Sequence, residues 1–349
     1  MLDTFTRAGE GNLIHPISIG EIEDSRVKLV KKSAPRDNGG TRANVHFDSV
    51  ANIQLLINGL AIGSIYALVA LGFVLIYNAV GVVNFAQGDF VMLPSYVAIS
   101  FLAPAITVFG MQMHWQLPPL VTYLLVIVLM VGFALLFTRI AYYPLRDRGW
   151  MPVVISTIGV SIFLRNFAQL TWGSQPLSFP SPFAADTLDF GGLHVRPQDL
   201  LIIAVTAVLI VFQYVLFEKT PLGKQMQATA QDRTTARLLG IRVGRVVTLT
   251  FVYSVLLGTI AGLLVAPVFT VTKEMGGLIA LKAFAASIVG GFGNIPGAII
   301  GGLMIGVVET FGGFYISSAY TDAFAFVILI AVLLVRPQGL FGERVAEKA

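Results

Sequence analysis

The sequence predicts an all-α polytopic membrane protein with about eight or nine transmembrane helices, and three observations carry that prediction. Of its 349 residues 56% are hydrophobic and only 12% are charged, where soluble domains hold about 25% charged residues. Apolar runs close to the ~20 residues that a bilayer-spanning helix needs recur along the chain. Glycine is abundant, at 35 residues, which suits membrane helices better than soluble ones. The alternating ten-residue segments of an outer-membrane barrel do not occur.

The predicted spans are 53–77, 86–104, 118–138, 152–171, 198–217, 246–270, 278–293, 296–316 and 322–335. The pair 278–293 and 296–316 is short and Gly-rich, so it reads either as two full spans or as a broken helix with a re-entrant half. Residues 1–50 form a different region, a polar N-terminal extension with seven Lys/Arg and seven Asp/Glu and no run of spanning length. They read as a disordered extension, as upstream sequence outside the genuine start, or as a regulatory or partner-binding tail. No 7–15-residue apolar core precedes a small-residue cleavage site there, so a secretory signal is not predicted.

Loop charge sets the orientation. The 139–151 loop carries Arg139, Arg146 and Arg148, and the 218–245 loop carries Lys219, Lys224, Arg233, Arg237, Arg242 and Arg245. The 172–197 loop has one arginine against Asp186 and Asp189. The positive-inside rule places the first two loops and the 341–349 tail in the cytoplasm, and 172–197 outside. An even number of crossings must then lie between 246 and 335, so both halves of the Gly-rich pair cross. Counting back puts the N-terminus outside, unless the first polar break is itself re-entrant.

Two polar breaks interrupt the apolar pattern. In GVVNFAQGDF (81–90), Gly81, Asn84 and Gly88 would share one face of a helix, with Gln87 beside it and Asp89 at its edge. Small residues allow close approach of another helix, and an ionisable residue at membrane depth is a functional hypothesis by default. The alternative is a cytoplasmic turn with Asp89 solvated and Asn84 capping a helix. The second break, GGFGNIPGAIIGG (290–302), sets Asn294 among Gly290, Gly291, Gly293, Pro296 and Gly297. Paired Gly/Pro interruptions in the two halves of a membrane protein point to a transport site near the midplane; a tight turn between spans would use the same residues.

Of the other charges, Arg165 reads as snorkelling or pairing near an interface. Lys282 and Glu309 read as a buried pair or as two interfacial residues. The four histidines, His15, His46, His114 and His194, lack metal-ligand spacing, and no cysteine is present, so neither a metal site nor a cofactor is predicted. No hydrolase constellation and no phosphate-binding G-x-x-x-x-G-K-[ST] loop occurs, so any ATP would be hydrolysed by another subunit. In the 218–245 loop, residues 224–239 read as one short helix stopped by Gly240, with a thin face of Met226, Ala230, Ala236 and Leu239. Such a helix suits a groove on a partner or a lipid surface.

Five ordered blocks then carry a resemblance. They are NGLAIGSIYALVALGFVLIYNAVGVVNFAQGDFVMLPSY, ISTIGVSIFLRN, ATAQDRTTARLLGI, LKAFAASIVGGFGNIPGAIIGGLMIGVVE and LLVRPQGLFG. Over about residues 51–345 the chain resembles the permeases of branched-chain amino acid ABC transporters, the LivH type. It departs from them in the long N-terminal extension and in Leu93-Pro94-Ser95-Tyr96, where Pro94 is expected to kink a helix. The resemblance implies an ABC importer permease fold over 51–340. It implies no enzymatic activity of the chain's own, and a multi-pass location in the bacterial inner membrane. The implied partners are a second homologous permease, two cytoplasmic ATPase subunits and an extracytoplasmic binding protein, with membrane lipid around the chain and no nucleic acid. From their placement at the two breaks, Asn84, Gln87, Asp89 and Asn294 are expected to line or brace the translocation path. Ala230, Asp232, Arg233, Ala236, Leu239 and Gly240 would then couple the chain to an ATPase. Relatives that carry urea and short-chain amides leave that substrate class as an alternative. A stand-alone secondary transporter using Asp89, Lys282 and Glu309 as ion sites is the other.

Overall fold

The computed structural model describes residues 49–114, 116–180, 188–190 and 193–342. The N-terminal extension up to residue 48 and the tail from 343 lie outside the described residues. Helix α1 runs Ser49–Val80, followed by a 3₁₀ turn at Phe85–Gln87 and α2 at Asp89–Leu102. A short hairpin, β1 (Ile106–Val108) with β2 (Met111–Met113), leads to α3, Pro119–Phe137, which is extended by a π turn through Tyr142. Helix α4 is Trp150–Trp172. A second hairpin, β3 (Leu188–Phe190) with β4 (Leu193–Val195), precedes α5, Pro197–Lys219. Two short helices follow, α6 (Pro221–Gln231) and α7 (Arg233–Leu238), then α8 (Val243–Val265), α9 (Met275–Gly290), α10 (Ile295–Tyr315) and α11 (Thr321–Val335).

Eight stretches are long and apolar enough to cross a membrane, and the 16-residue α9 is a shorter ninth apolar helix. Each predicted span is found, with ends moved by a few residues. Both halves of the Gly-rich pair are helices, and they run antiparallel through the turn Gly291–Asn294. The helix α2 continues through Pro94 without a break.

The ends of the helices sort into two faces. Asn52 at the start of α1 accepts a hydrogen bond from Tyr315 at the end of α10, and Asn78 near the end of α1 donates to the Gly293 carbonyl at 2.9 Å. Following the helices alternately from these anchors, Arg146, Arg148, Lys224, Arg233, Arg237, Arg242, Arg245 and Arg336 fall at the Gly293 end. Among the described residues the opposite end carries Arg196 and Lys273. The positive-inside rule makes the basic end cytoplasmic, and α1 therefore starts on the outer side, as the loop count predicts.

The core is α1, buried along most of its length between α8, α9 and α10. Its contact with α10 is set by small residues. A Cβ on Gly306 would lie 2.2 Å from the Gly63 backbone nitrogen and 2.6 Å from the Gly59 carbonyl, so the two backbones touch directly, the membrane way of packing where water provides no driving force. By contrast, α3, α5 and α11 turn Leu120, Val128, Val208, Phe212, Val327 and Leu334 outward. An apolar surface of that extent belongs against lipid tails.

Candidate functional site

The first polar break is not a helix. Helix α1 stops at Gly81, whose φ of +70° favours glycine, and the chain passes extended through Asn84. Asn84 Oδ1 accepts from the Ala86 amide at 3.1 Å and caps the 3₁₀ turn. The expected common face of Gly81, Asn84 and Gly88 is therefore absent, because the positive φ at Gly81 ends the helical register. The capping role expected in the alternative reading is present, whereas its solvated Asp89 is not: Asn84, Gln87 and Asp89 are all buried. Gly88 has ordinary helical dihedrals, φ −65°, and starts α2. Its lack of a side chain lets it sit against the Gly276 carbonyl of α9, 2.3 Å from where a Cβ would be.

Gln87 occupies a slot made by Gly72. A Cβ at residue 72 would fall 2.1 Å from Gln87 Nε2. The Ser254 hydroxyl of α8 lies between Gln87 Oε1 at 2.9 Å and the Gly72 carbonyl at 3.0 Å. Gln87 thus joins α1, the turn and α8 through its carbonyl oxygen, while its buried side-chain amide nitrogen has no hydrogen-bond partner among the described residues. Gly72 and Ser254 did not stand out in the sequence, since an isolated Gly and Ser in apolar runs carry no signal of what they face.

Asp89 is the inner half of a charge relay. Arg165 Nε on α4 donates to Asp89 Oδ1 at 3.3 Å, and Arg165 Nη1 lies 3.7 Å from Glu274 Oε2 just before α9. Only 1% of the Asp89 side chain is exposed, against 34% for Arg165 and 59% for Glu274. A buried carboxylate held by a half-buried guanidinium orients that guanidinium. Arg165 is thus fixed by pairing, the second of the two roles the sequence allowed, and Glu274 is the partner that sequence reasoning missed. Arg165 and Glu274 sit at one end of a cavity of about 390 Å³ lined by Phe73, Phe85, Leu278, Leu281 and Phe284.

A second ionic cluster ties α1, α9, α10 and α11. Lys282 Nζ is 2.5 Å from Glu309 Oε1 and 2.6 Å from Asp322 Oδ1, and it donates to the Tyr66 hydroxyl at 3.2 Å. Tyr66 in turn donates to Glu309 Oε2 at 3.0 Å. Lys282 and Glu309 form the buried pair, not two interfacial residues. Lys282 makes three polar contacts and Glu309 uses both oxygens, so this cluster closes on itself as a cross-brace. Among the described residues no group of His, Asp and Glu is arranged to hold a metal ion.

The second break holds a strap. Gly291 and Gly293 take φ +107° and +98° in the turn, and Pro296 occupies the first turn of α10, where its missing N–H costs nothing. Asn294 Oδ1 accepts from the Gly297 amide at 2.8 Å, and its Nδ2 donates to the Phe341 carbonyl at 3.1 Å. The chain beyond α11 folds back here, with Leu340 and Phe341 amides donating to the Val289 and Gly290 carbonyls. Gly290 and Gly297 sit in contact across the turn. Asn294 is thus remote from the Asn84–Gln87–Asp89 cluster and acts as a cap and strap anchor on the cytoplasmic face.

The cytoplasmic loop is two helices, not the single one expected over 224–239. Asp232 leaves helical geometry (φ −154°, ψ 114°) and caps α7, accepting from the Thr234 amide at 2.8 Å and from the Thr235 hydroxyl. Those donors hold its carboxyl below the usual carboxylate range. Gly240, φ +83°, ends α7 as predicted, with the Gly240 amide bonded to the Arg237 carbonyl and Ile241 to Ala236, the pairing of a Schellman stop. Ala236 and Met226 are buried, so neither can meet a partner. Ala230 and Arg237 remain accessible, Arg233 partly so, and Leu238 and Leu239 are 83% and 74% exposed.

Comparison with known proteins identifies the family. The family described as branched-chain amino acid transport system / permease component matches residues 55–333. The chain is 35% identical over 301 residues to the high-affinity branched-chain amino acid transport system permease protein LivH of Salmonella typhimurium, covering 85% of this chain and 97% of that one. LivH of Escherichia coli K12 matches to the same extent. BraD of Pseudomonas aeruginosa, also a high-affinity branched-chain amino acid transport system permease protein, is 37% identical over 304 residues with the same coverage. The resemblance carried by the five sequence blocks is thereby borne out, and the chain belongs to the family of permease components of branched-chain amino acid transport systems.

Proposed function

We propose that this chain is the membrane-spanning permease subunit of an ATP-driven importer of branched-chain amino acids in the bacterial inner membrane. It works with a second homologous permease, two cytoplasmic ATPase subunits and an extracytoplasmic binding protein. The observation that carries the reading is the pair α6–α7. It is a rigidly capped element on the basic face, with two leucines almost fully exposed next to Arg237, in a chain whose family is a permease component. Two adjacent exposed leucines beside a charged rim fit a partner surface, and an ATPase groove supplies one. The ATP is the partners' substrate, and this chain contributes no step of its hydrolysis.

In this reading Gln87 and Asp89 brace the translocation path from inside the chain, with Arg165 at its wall, while Asn84 and Asn294 hold the two turns. A stand-alone secondary transporter finds less support, because its candidate ion sites are already neutralised: Asp89 by Arg165, and Lys282 by Glu309 and Asp322. The curated relatives quoted above carry branched-chain amino acids, so the urea and amide alternative is set aside.

The test is recovery of the C-terminally tagged chain from native membranes in mild detergent, followed by leucine uptake in proteoliposomes. Co-purification of an ATPase chain that is lost in Leu238→Asp/Leu239→Asp, with ATP-dependent leucine uptake by the intact complex, supports the assignment. A chain recovered alone, in a detergent that preserves a known ABC complex, refutes it.

A further inference from the structure

We infer that the cavity at Arg165 and Glu274 is the station on the path where the amino-acid head group is recognised, Arg165 taking the substrate carboxylate and Glu274 its ammonium. The inference rests on the reading of the chain as an amino-acid permease and assigns that function to particular atoms. Arg165 spends its Nε on buried Asp89, and neither of its Nη groups makes a hydrogen bond among the described residues. The open edge of a guanidinium is a bidentate carboxylate receptor, and its orientation here is fixed from behind. Glu274 stands 3.7 Å from Nη1, beyond hydrogen-bonding distance, and is more than half exposed. The two form an unclosed ion pair, unlike the saturated Lys282 cluster, and a zwitterion can insert its opposite charges between them.

The rest of the cavity suits the other half of such a substrate. Phe85, Leu281 and Phe284 wall it, and its volume is about 390 Å³, room for an aliphatic amino acid with water to spare. Gly277 stands where a side chain would press on Arg165, its ideal Cβ 3.1 Å from Nη2. Phe85 and Leu281 are 43% and 54% exposed, so the cavity opens away from the chain's own core. Charge at one end and apolar surface at the other match a zwitterion with a branched aliphatic side chain. Neither a free carboxylic acid nor an amine satisfies both charges.

The experiment uses the complete transporter, with its ATPase subunits and binding protein, and the fact that this chain has no cysteine. Leu281→Cys and, in parallel, Phe85→Cys are labelled with a small neutral thiol reagent, and modification of this chain is followed by mass spectrometry. Saturating leucine is expected to slow labelling about tenfold, the factor left when roughly nine sites in ten are filled. Equal concentrations of 4-methylpentanoate, which lacks the ammonium, and 3-methylbutylamine, which lacks the carboxylate, are expected to leave the rate unchanged. Adding Glu274→Gln is expected to abolish protection by leucine, and Glu274→Asp to retain part of it. The inference is overturned if the wild-type complex imports leucine yet leucine leaves both labelling rates unchanged. It is equally overturned if neither thiol is labelled in an assembled complex, or if the amine or the acid protects as well as leucine. If the wild-type complex imports no branched-chain amino acid, the functional reading itself fails instead.

Discussion

Replacing Lys282 with methionine tests the closed cluster at the centre of the fold. Its Nζ is 2.5 Å from Glu309 and 2.6 Å from Asp322, and the side chains of Lys282 and Glu309 are 9% and 6% exposed while that of Asp322 is 69% exposed. Removing the cation leaves Glu309 buried with the Tyr66 hydroxyl as its remaining donor. Breaking a buried pair by deleting one member costs about 3–5 kcal/mol, and that donor places the expected cost near the lower figure. Glu309→Gln costs less, about 1–2 kcal/mol, because Lys282 keeps Asp322. Asp322→Asn costs below ~1 kcal/mol, since an exposed carboxylate returns to water. The double variant Lys282→Met/Glu309→Leu removes both charges and is expected to cost less than Lys282→Met alone, a coupling of about 2–3 kcal/mol. Reversible unfolding in mixed detergent micelles, followed by tryptophan fluorescence, ranks these four together with Glu309→Leu, which completes the double-mutant cycle. The reasoning is refuted if Asp322→Asn costs as much as Lys282→Met, or if the double variant costs the sum of its two single changes.

Three further outcomes are expected. Gly306→Ala must push α1 and α10 apart by about 1 Å to clear the Gly63 nitrogen, and overpacking of this kind lowers stability by ~1–3 kcal/mol; an unchanged unfolding midpoint would deny the direct backbone contact. Gly72→Ala places a methyl 2.1 Å from Gln87 Nε2 and is expected to lower the melting temperature, with Gln87→Ala restoring part of the loss; a double variant no more stable than Gly72→Ala would separate the two residues. Asp232→Ala frays α7, seen as faster amide exchange at Thr234–Ala236, while Asp232→Asn keeps the cap. Because its carboxyl is held low by Thr235 and Thr234, the charged cap contributes above the unfolded carboxylate pKa and is lost only as pH falls through the lower folded value. Exchange at these amides should therefore show no added loss of protection between pH 7 and pH 5, and a loss in that window counts against the cap.

Much of this fold was legible because a bilayer imposes one period and one length. A run of about twenty apolar residues announces itself, and the eight spans and the shorter ninth helix were placed to within a few residues. What stayed hidden was pairing. Asp89 and Arg165 are 76 residues apart, and Tyr66 and Glu309 are 243, so no local pattern joins them. The rule that a charge at membrane depth needs a partner could nevertheless have matched Asp89 with Arg165, as opposite charges on neighbouring spans. The break at 81–88 was located correctly but given helical geometry, because Gly81 signals freedom of φ and not which value it takes. At Asp232 two signals competed. Good helix formers on both sides favoured one long helix, whereas an Asp with threonines two and three residues on is a capping sequence, and the cap won because Asp232 satisfies an amide and a hydroxyl at once.

The distribution of closed and open contacts also says where movement can occur. Inside the chain, α1 meets α10 backbone to backbone, Lys282 ties α9 to α10 and α11, Gln87 ties the first turn to α8, and the 336–342 strap fills the α9–α10 turn. Each joint is short and filled, and packed interiors do not deform gradually. A push delivered at Leu238 and Leu239 is not absorbed at the base of α6 either. There Thr220 caps the helix, Gln227 donates to the Phe217 carbonyl at 3.1 Å, and Gly223 lies against the Leu216 carbonyl. Under the proposed coupling, the displacement would pass into α5 and α8 as bodies, the kind of rigid element through which coupling travels. Of the two ionic clusters described, the unsaturated one is the Arg165–Glu274 pair, between α4 and the start of α9. A rigid-body shift of α8 and α9 against α4 would change the 3.7 Å separation of that pair before it disturbed any filled joint. Under the proposed coupling and the inferred substrate station, nucleotide-driven motion would act on the substrate by opening and closing that one charged pair.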